Sequence, residues 1–572
     1  MSRRHAITSI AALPLAGCWR GDTVRAVNYT GGWIGAQHER GHQLRDRPAG
    51  ASMAAPALQG RASVLVIGAG VAGLACARAL MRAGIDDVRV FDLEDTAGGN
   101  SRGHTLAGMA CPRGAHYLPL PGEHATEVIE LLEDLGLRRT VHGRAVYDER
   151  HLCHSPQERL HIDGQWHDGL LPPVEALPES QRQATTAQYQ RLAVLIDEVS
   201  HRNAFALPTA RAAWSDELEA LDRITFTAWL DAQGLHAPAL RWYLDHCCRD
   251  DYGAGAAQVS AWAGLHYFAS RHGFQPPGFE ARDGDHGVDG VLTWPEGNAW
   301  VTTRMAAPLG DRLRTGCVAL RVDQGRHEVS VDLWRAADQR VERWTAPQVV
   351  LATPLFVSTR LLASPPAAWS DAATRMRHAP WLVANLHLDQ PLRDHAGAPL
   401  SWDNVVYPGA ELSRDASREA VSVATPADTA WSAARLSLGY VDAMHQSTRP
   451  HAGPTVLTAY WALGGDTLQQ LKARRAALLS DTWSAWAARM LQDVARPHAD
   501  MPAKVRQIDL MRYGHAMSVP APGVRSDAAL RAASQTPGRV HAAHSDLSGY
   551  SVFEEAMYWG SRAAQRVRSG LG

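Results

Sequence analysis

The chain has 572 residues, too many for one compact core, so at least two domains are expected. Its hydrophobic share of 45% is that of an ordinary globular protein. A net charge of −2 leaves no basic patch for nucleic acid and no polybasic block for an anionic membrane. The seven cysteines are scattered without framework spacing, so no structural disulfides are implied. With 27 histidines in the chain, the run His151, His154, His161 and His167 reads as loop histidines, and no metal is expected.

The N-terminus comes first. Met1-Ser2-Arg3-Arg4-His5 is a basic start, Ala6 to Leu15 is a short, weakly apolar run, and Leu15-Ala16-Gly17-Cys18 follows. This is the pattern of an export signal and is too short to span a bilayer as a helix. Ser-Arg-Arg resembles a twin-arginine signal, and Leu-Ala-Gly-Cys resembles a lipobox whose Cys is acylated. The expectation is a signal over residues 1–18 and an exported, periplasmic or extracytoplasmic protein. Its only membrane contact would be a lipid on Cys18. Residues 19–60 read as a tether or an N-terminal arm, in which Trp33, Ile34 and Leu44 could dock.

Val64 to Ile67 is an apolar run that ends in Gly68-Ala69-Gly70-Val71-Ala72-Gly73. An Ala/Leu-rich segment follows, then Val88-Arg89-Val90-Phe91, closing on Asp92 and Leu93. The order is strand, glycine turn, helix and strand, with an acid at the end. Gly68 allows the turn, Gly70 lets the backbone approach a pyrophosphate, and Gly73 lets helix and strand pack. The helix N-terminus at Val71 and Ala72 offers free N–H groups to phosphates, and Asp92 can accept from a ribose. A second glycine pair follows in Gly98-Gly99-Asn100-Ser101. It allows another close approach to the same pyrophosphate and suits FAD better than NAD.

Further along, Ala184 to Ser200, Asp216 to Leu230, Ala237 to Asp245 and Thr467 to Val494 read as helices. Val405 to Tyr407, Leu436 to Val441 and Val456 to Trp461 read as strands. The polar run Cys247 to Gly253 is open to two readings, a pocket lining and a solvated helix end, of which the second is commoner.

These motifs resemble the flavin-containing amine oxidoreductase superfamily, which includes monoamine and polyamine oxidases, protoporphyrinogen oxidases and phytoene-type desaturases. Asn100 stands where that family has Arg, with Arg102 close by. The resemblance implies that Gly114-Ala115-His116-Tyr117 runs under the flavin ring and that Val318 sets its backbone against the adenine. It also implies that Asp546, before Ser548-Gly549-Tyr550, lies at the ribityl–pyrophosphate. The implied fold is α/β. A discontinuous Rossmann-like FAD-binding domain (61–150, 285–362 and 505–572) would carry a substrate domain of mixed sheet and helices (151–284 and 363–504).

The implied activity is two-electron oxidation of a small molecule by hydride transfer to FAD, with the electron acceptor open. Tyr550 is the expected wall of the substrate pocket, with His515 (or Tyr513) opposite, and His116 is expected to tune the flavin or shuttle a proton. Monoamine and polyamine oxidases keep a Lys near the flavin. The matching strand, Trp381 to Asp389, has none, and Val383 falls near its place; the only lysines are Lys472 and Lys504. A desaturase or isomerase acting on an apolar polyene is therefore an alternative. A lipid-anchored FAD-binding protein without turnover is another.

Overall fold

The structure is a computed structural model that describes residues 28–35, 37–46, 56–202, 205–271, 273–279, 290–393, 395–409, 433–447, 449 and 451–571. The expected signal and Cys18 lie outside the described residues.

Five parallel strands form the first sheet, in the order Leu313–Arg314, Val88–Phe91, Val64–Ile67, Gln348–Leu351, Val540–Ala542. Both faces of this sheet are covered, which is why its central strands read as unbroken apolar runs. Val64 and Val66 face a core shared with Leu74, Leu80, Leu131 and Met557, under the helices Val71–Arg82, Thr126–Asp134 and Phe553–Leu571. Leu65 and Ile67 point the other way, into a core with Val331 and Leu333. Those two belong to a four-stranded sheet of Cys317–Gln324, Val329–Arg335, Val341–Ala346 and Leu58–Arg61. Gly73 is needed for helix–strand contact, because a Cβ there would stand 1.9 Å from the Gly68 carbonyl oxygen.

The second large sheet has eight strands. Their order is Thr30–Trp33, Val505–Ser518, His378–Leu388, Thr455–Ala462, Ser437–Asp442, Asp403–Val406, Glu158–Ile162, Gln165–Asp168. Along His378–Leu388 the side chains alternate. Leu382, Ala384 and Leu386 join a core with Trp486 and Met490, whereas Trp381 and Val383 face the opposite side. That opposite side is roofed by the helices Glu179–Arg202, Asp216–Asp222, Phe226–Ala232, Pro238–Tyr252 and Ala261–Ala269.

Several sequence expectations shift. Residues 505–518, expected with the cofactor domain, form the second strand from one edge of the eight-stranded sheet, antiparallel to His378–Leu388. Within residues 19–60, Thr30–Trp33 extends the eight-stranded sheet and Leu58–Arg61 extends the four-stranded one. Two expected long helices are each two. Thr225 caps the second by accepting from the Ala228 N–H, and Thr482 caps the other by accepting from the Ala485 N–H. The helix expected to end at Asp245 runs on to Tyr252.

Among the described residues no cysteines are bonded, and no helix is long and apolar enough to cross a membrane. One set of metal-capable donors, His395, His498 and Asp500, occurs among them, away from the cavity described next. Asp500 is already held there by Lys504 and the Arg393 N–H.

Candidate active site

A cavity of about 520 Å³ runs from the C-terminal ends of the parallel strands to the helical roof. In an open parallel sheet this is where a ligand is expected. At one end it is lined by Gly68, Gly70, Val71, Ala72, Asp92, Leu93, Gly98, Gly99, Asn100, Ser101 and Val318. Gly114, Ala115, His116 and Tyr117 line its middle.

The nucleotide end has the form of a backbone cradle. The helix Val71–Arg82 starts at Gly70 with no side-chain cap, so its first N–H groups are free for an anion. Gly99 has φ +59°, and a Cβ there would lie 3.0 Å from the Gly70 Cα. The absence of a Cβ at both positions therefore leaves room for a pyrophosphate to approach both turns. The Asp92 carboxylate accepts from the Ala69 N–H (2.6 Å) and the Glu94 N–H (2.8 Å), which fixes it at the rim. These residues fit an adenine dinucleotide.

Two of the expected cofactor residues lie off the cavity. Gly73 does the helix–strand packing that its place in the motif calls for. Asp546 is fully buried behind the wall and accepts from the Leu355 N–H (2.8 Å) and from His378 (3.0 Å). Burial alone would raise its carboxyl, but His378 and His544 hold it well below the usual carboxylate range. Its neighbours His544 and Ser545 reach the cavity in its place. Arg102 does not stand in for the missing Arg at position 100. Its guanidinium donates to the Gly99 carbonyl (2.9 Å) and the Gly35 carbonyl (3.0 Å) and pairs with Glu94 (3.0 Å). The Asn100 amide donates to the Ala516 carbonyl at 2.7 Å, tying the glycine turn to the other sheet.

The segment Gly114–Tyr117 is pinned by hydroxyls and an amide from three directions. Tyr460 donates to the Gly114 carbonyl (3.1 Å), Tyr513 to the Arg113 carbonyl (2.9 Å) and Asn298 to the Tyr117 carbonyl (2.8 Å). His116 stacks on Tyr460 with ring centroids 4.4 Å apart. Burial pushes its imidazolium down to about 3, so at neutral pH it is an uncharged aromatic wall and no proton shuttle. His515 also lines the cavity, against Phe356, and is pushed down to about 3 by burial, with Arg475 and His378 adding to it.

Tyr550 is fully buried but does not line the cavity. Its hydroxyl donates to Asp251 at 3.0 Å and lies 3.4 Å from the Tyr252 hydroxyl. The wall in front of it is acidic: Asp250, Asp251, Arg271 and Glu554 line the roof end. Asp251 makes a two-pronged pair with Arg271, with contacts from 3.0 to 3.2 Å. Tyr117 donates to Asp250 at 2.9 Å. Burial, and then the neighbouring Asp251 carboxylate, push the Asp250 carboxyl up to about 6.

The Cys247 to Gly253 run thus gives Asp250 and Asp251 to the cavity wall, where the commoner reading was a solvated end. Gly253 ends the helix in the left-handed conformation, and a Cβ there would meet the Trp381 ring at 2.5 Å. This tight docking on the sheet sets the two aspartates at the cavity. Val383 lines the cavity, while Asn385, the nearest polar residue on that strand, is turned to Thr458.

The cradle, the two sheets and the cavity between them define the architecture of a dinucleotide-dependent oxidoreductase. The chain belongs to the flavin containing amine oxidoreductase family, whose model matches residues 71–568. It is an FAD-dependent oxidoreductase enzyme. Among solved structures it is similar to putrescine oxidase bound to putrescine, at 19% identity over 89% of this chain and 100% of that one, with a TM-score of 0.61. It is also similar to cyclohexylamine oxidase from Brevibacterium oxydans IH-35A, at 18% identity over 89% and 99%, with a TM-score of 0.59. A fatty acid isomerase from P. acnes that produces CLA matches at 16% identity over 88% and 98%, with a TM-score of 0.57. At these identities the likeness is one of fold.

Proposed function

We propose that this enzyme oxidises an amine that enters the cavity as its ammonium ion. The observation that carries this reading is the Tyr117–Asp250 pair, a buried carboxylate with raised proton affinity in the cavity wall. Asp250, Asp251 and Glu554 stand there against the single guanidinium of Arg271, an excess of negative charge that suits a cation.

Bound FAD, held by the glycine cradle and the Gly114–Tyr117 segment, supplies the two-electron acceptor. Asp250 draws the ammonium in and takes one of its protons on a carboxylate oxygen, leaving the neutral amine. Tyr117 keeps Oδ2 in place through its hydroxyl. His116, Tyr460 and Trp381 give apolar ring faces that orient the substrate and exclude water.

The test is anaerobic mixing of the purified yellow protein with benzylamine, putrescine, cyclohexylamine and free amino acids. Bleaching of the visible flavin band by at least one amine is expected. A protein inert to every amine but bleached by, or active on, an apolar polyene would overturn the reading. That second reading draws its support from Val383, an aliphatic side chain in the cavity where the resemblance expects a lysine.

We further propose that the protein is exported and anchored through acylated Cys18. The support is the order of Arg3-Arg4, the apolar run and Leu15-Ala16-Gly17-Cys18. A Cys18→Ala variant that stays membrane-bound would reject the anchor.

A further inference from the structure

We propose that Gly35 and residues 37–46, which lie N-terminal to the family match, are part of the FAD site and act as a clasp over its adenosine end. The chain is first fixed to the eight-stranded sheet. The Ile34 N–H donates to the Leu510 carbonyl at 2.8 Å, and the Arg512 guanidinium lies 4.4 Å from the centre of the Trp33 ring. It then crosses to the nucleotide-binding domain as the helix His38–Asp46.

There it is fastened to the residues that follow Asp92. Arg40 donates to the Leu93 carbonyl (2.9 Å) and pairs with Asp95 (2.7 Å). The Gln37 N–H donates to the Glu94 carboxylate at 3.2 Å. At the far end of the helix, Arg360 donates to the Arg45 carbonyl at 2.8 Å. Two side-chain positions of the same helix, Gly41 and Leu44, line the cavity beside Leu93, and Leu44 packs into the core beneath the four-stranded sheet.

A third link reaches the phosphate cradle itself. Arg102 is almost fully buried and joins the Gly99 carbonyl, the Glu94 carboxylate and the Gly35 carbonyl. The acid-tipped strand end, the second glycine turn and the arm are therefore held as one unit. Asp92 and Leu93 mark where the ribose and adenine of a dinucleotide belong. A helix bolted across that end adds nothing to the redox centre but closes the route by which the dinucleotide leaves. Release of FAD then requires the Arg40 fastenings to open first, so the clasp acts on the dissociation rate.

The test compares the full-length holoenzyme with Arg40→Ala and Gly41→Leu. Flavin release is followed as the rise of flavin fluorescence after dilution, and apoprotein stability as its melting temperature. Arg40→Ala is expected to release FAD about tenfold faster, since it loses a charged hydrogen bond and a partly exposed ion pair. Gly41→Leu puts a side chain into the adenosine end and is expected to weaken FAD uptake by about tenfold or more. In both, the apoprotein should melt within about 2 °C of the parent, because surface contacts of this kind add little to the fold. Release and uptake within twofold of the parent would overturn the proposal. So would a fall in apoprotein melting temperature that tracks the faster release, which would make the arm a brace of the fold and no part of the site.

Discussion

Asp250→Asn is the perturbation that bears most directly on the proposed chemistry. The parent carboxyl is pushed up to about 6, roughly two units above its ordinary value, so ionising it in place costs about 3 kcal/mol more than in water. Unfolded, the group loses its proton near 3.9, so between about pH 4 and 6 the folded state holds a proton that the unfolded state has released. Stability from this group therefore falls as pH rises through that window, and the site accepts the loss to have a carboxylate that can take a proton. In the rate constant for anaerobic flavin reduction by an amine, this predicts an acid limb near pH 6. The rate should drop about tenfold for each pH unit below it. His116 and His515 do not interfere, since both are pushed down to about 3 and stay neutral across the window. Asp250→Asn should abolish the limb and lower the plateau by about 10²- to 10⁴-fold. Tyr117→Phe removes a hydrogen bond that favours the charged carboxylate, so the limb should move to higher pH. Stopped-flow reduction between pH 5 and 8 checks all three. An Asn variant that keeps the limb, or reduces within threefold of the parent at pH 8, would refute the reasoning.

Gly99→Ala forces a side chain into a φ of +59° and against the Gly70 Cα at 3.0 Å. FAD affinity should fall about a hundredfold or more by titration of the apoprotein, with little change in the apoprotein fold. Asp251→Asn leaves the Arg271 guanidinium without its ionised partner in a buried wall, and about 3–5 kcal/mol of stability should be lost. Tyr550→Phe removes one hydrogen bond to that carboxylate, with longer contacts to Tyr252 and His266, and should cost about 1.5–3 kcal/mol. Thermal unfolding at saturating FAD ranks the two, and the reverse order would mean that Arg271 finds another partner. Asp546→Asn should lower the melting temperature of the apoprotein as well as the holoenzyme, because the carboxylate serves Leu355, His378 and His544. An effect on FAD affinity alone would return Asp546 to the cofactor.

The dinucleotide end was legible in the sequence because its determinants are local. The turn Gly68 to Gly73 lies between the strand and the helix that it joins, and Asp92 ends the strand paired beside it. Steric rules for glycine and the free N–H groups of a helix start hold whatever the rest of the chain does. The acidic wall was not legible. Asp250 and Asp251 take their partners from Tyr117, Arg271 and Tyr550, 133, 20 and 299 residues away in sequence. Without those partners a polar run at a helix end reads correctly as solvated, since an unpaired buried carboxylate is too costly.

The same division explains the sheet assignments. Nothing local in Val505–Ser518 says that its neighbour is His378–Leu388 rather than the parallel sheet. By itself the sequence determined the Rossmann unit and its dinucleotide turn, which follow from short-range sterics and periodicity, while FAD and the discontinuous domain plan were implied by the family resemblance. Only the tertiary structure decided that Tyr550 stands behind the wall, that Asp250 stands in it, and that the helix His38–Asp46 lies beside Leu93 at the nucleotide end. Those outcomes depend on which distant groups meet, and burial then sets their charge.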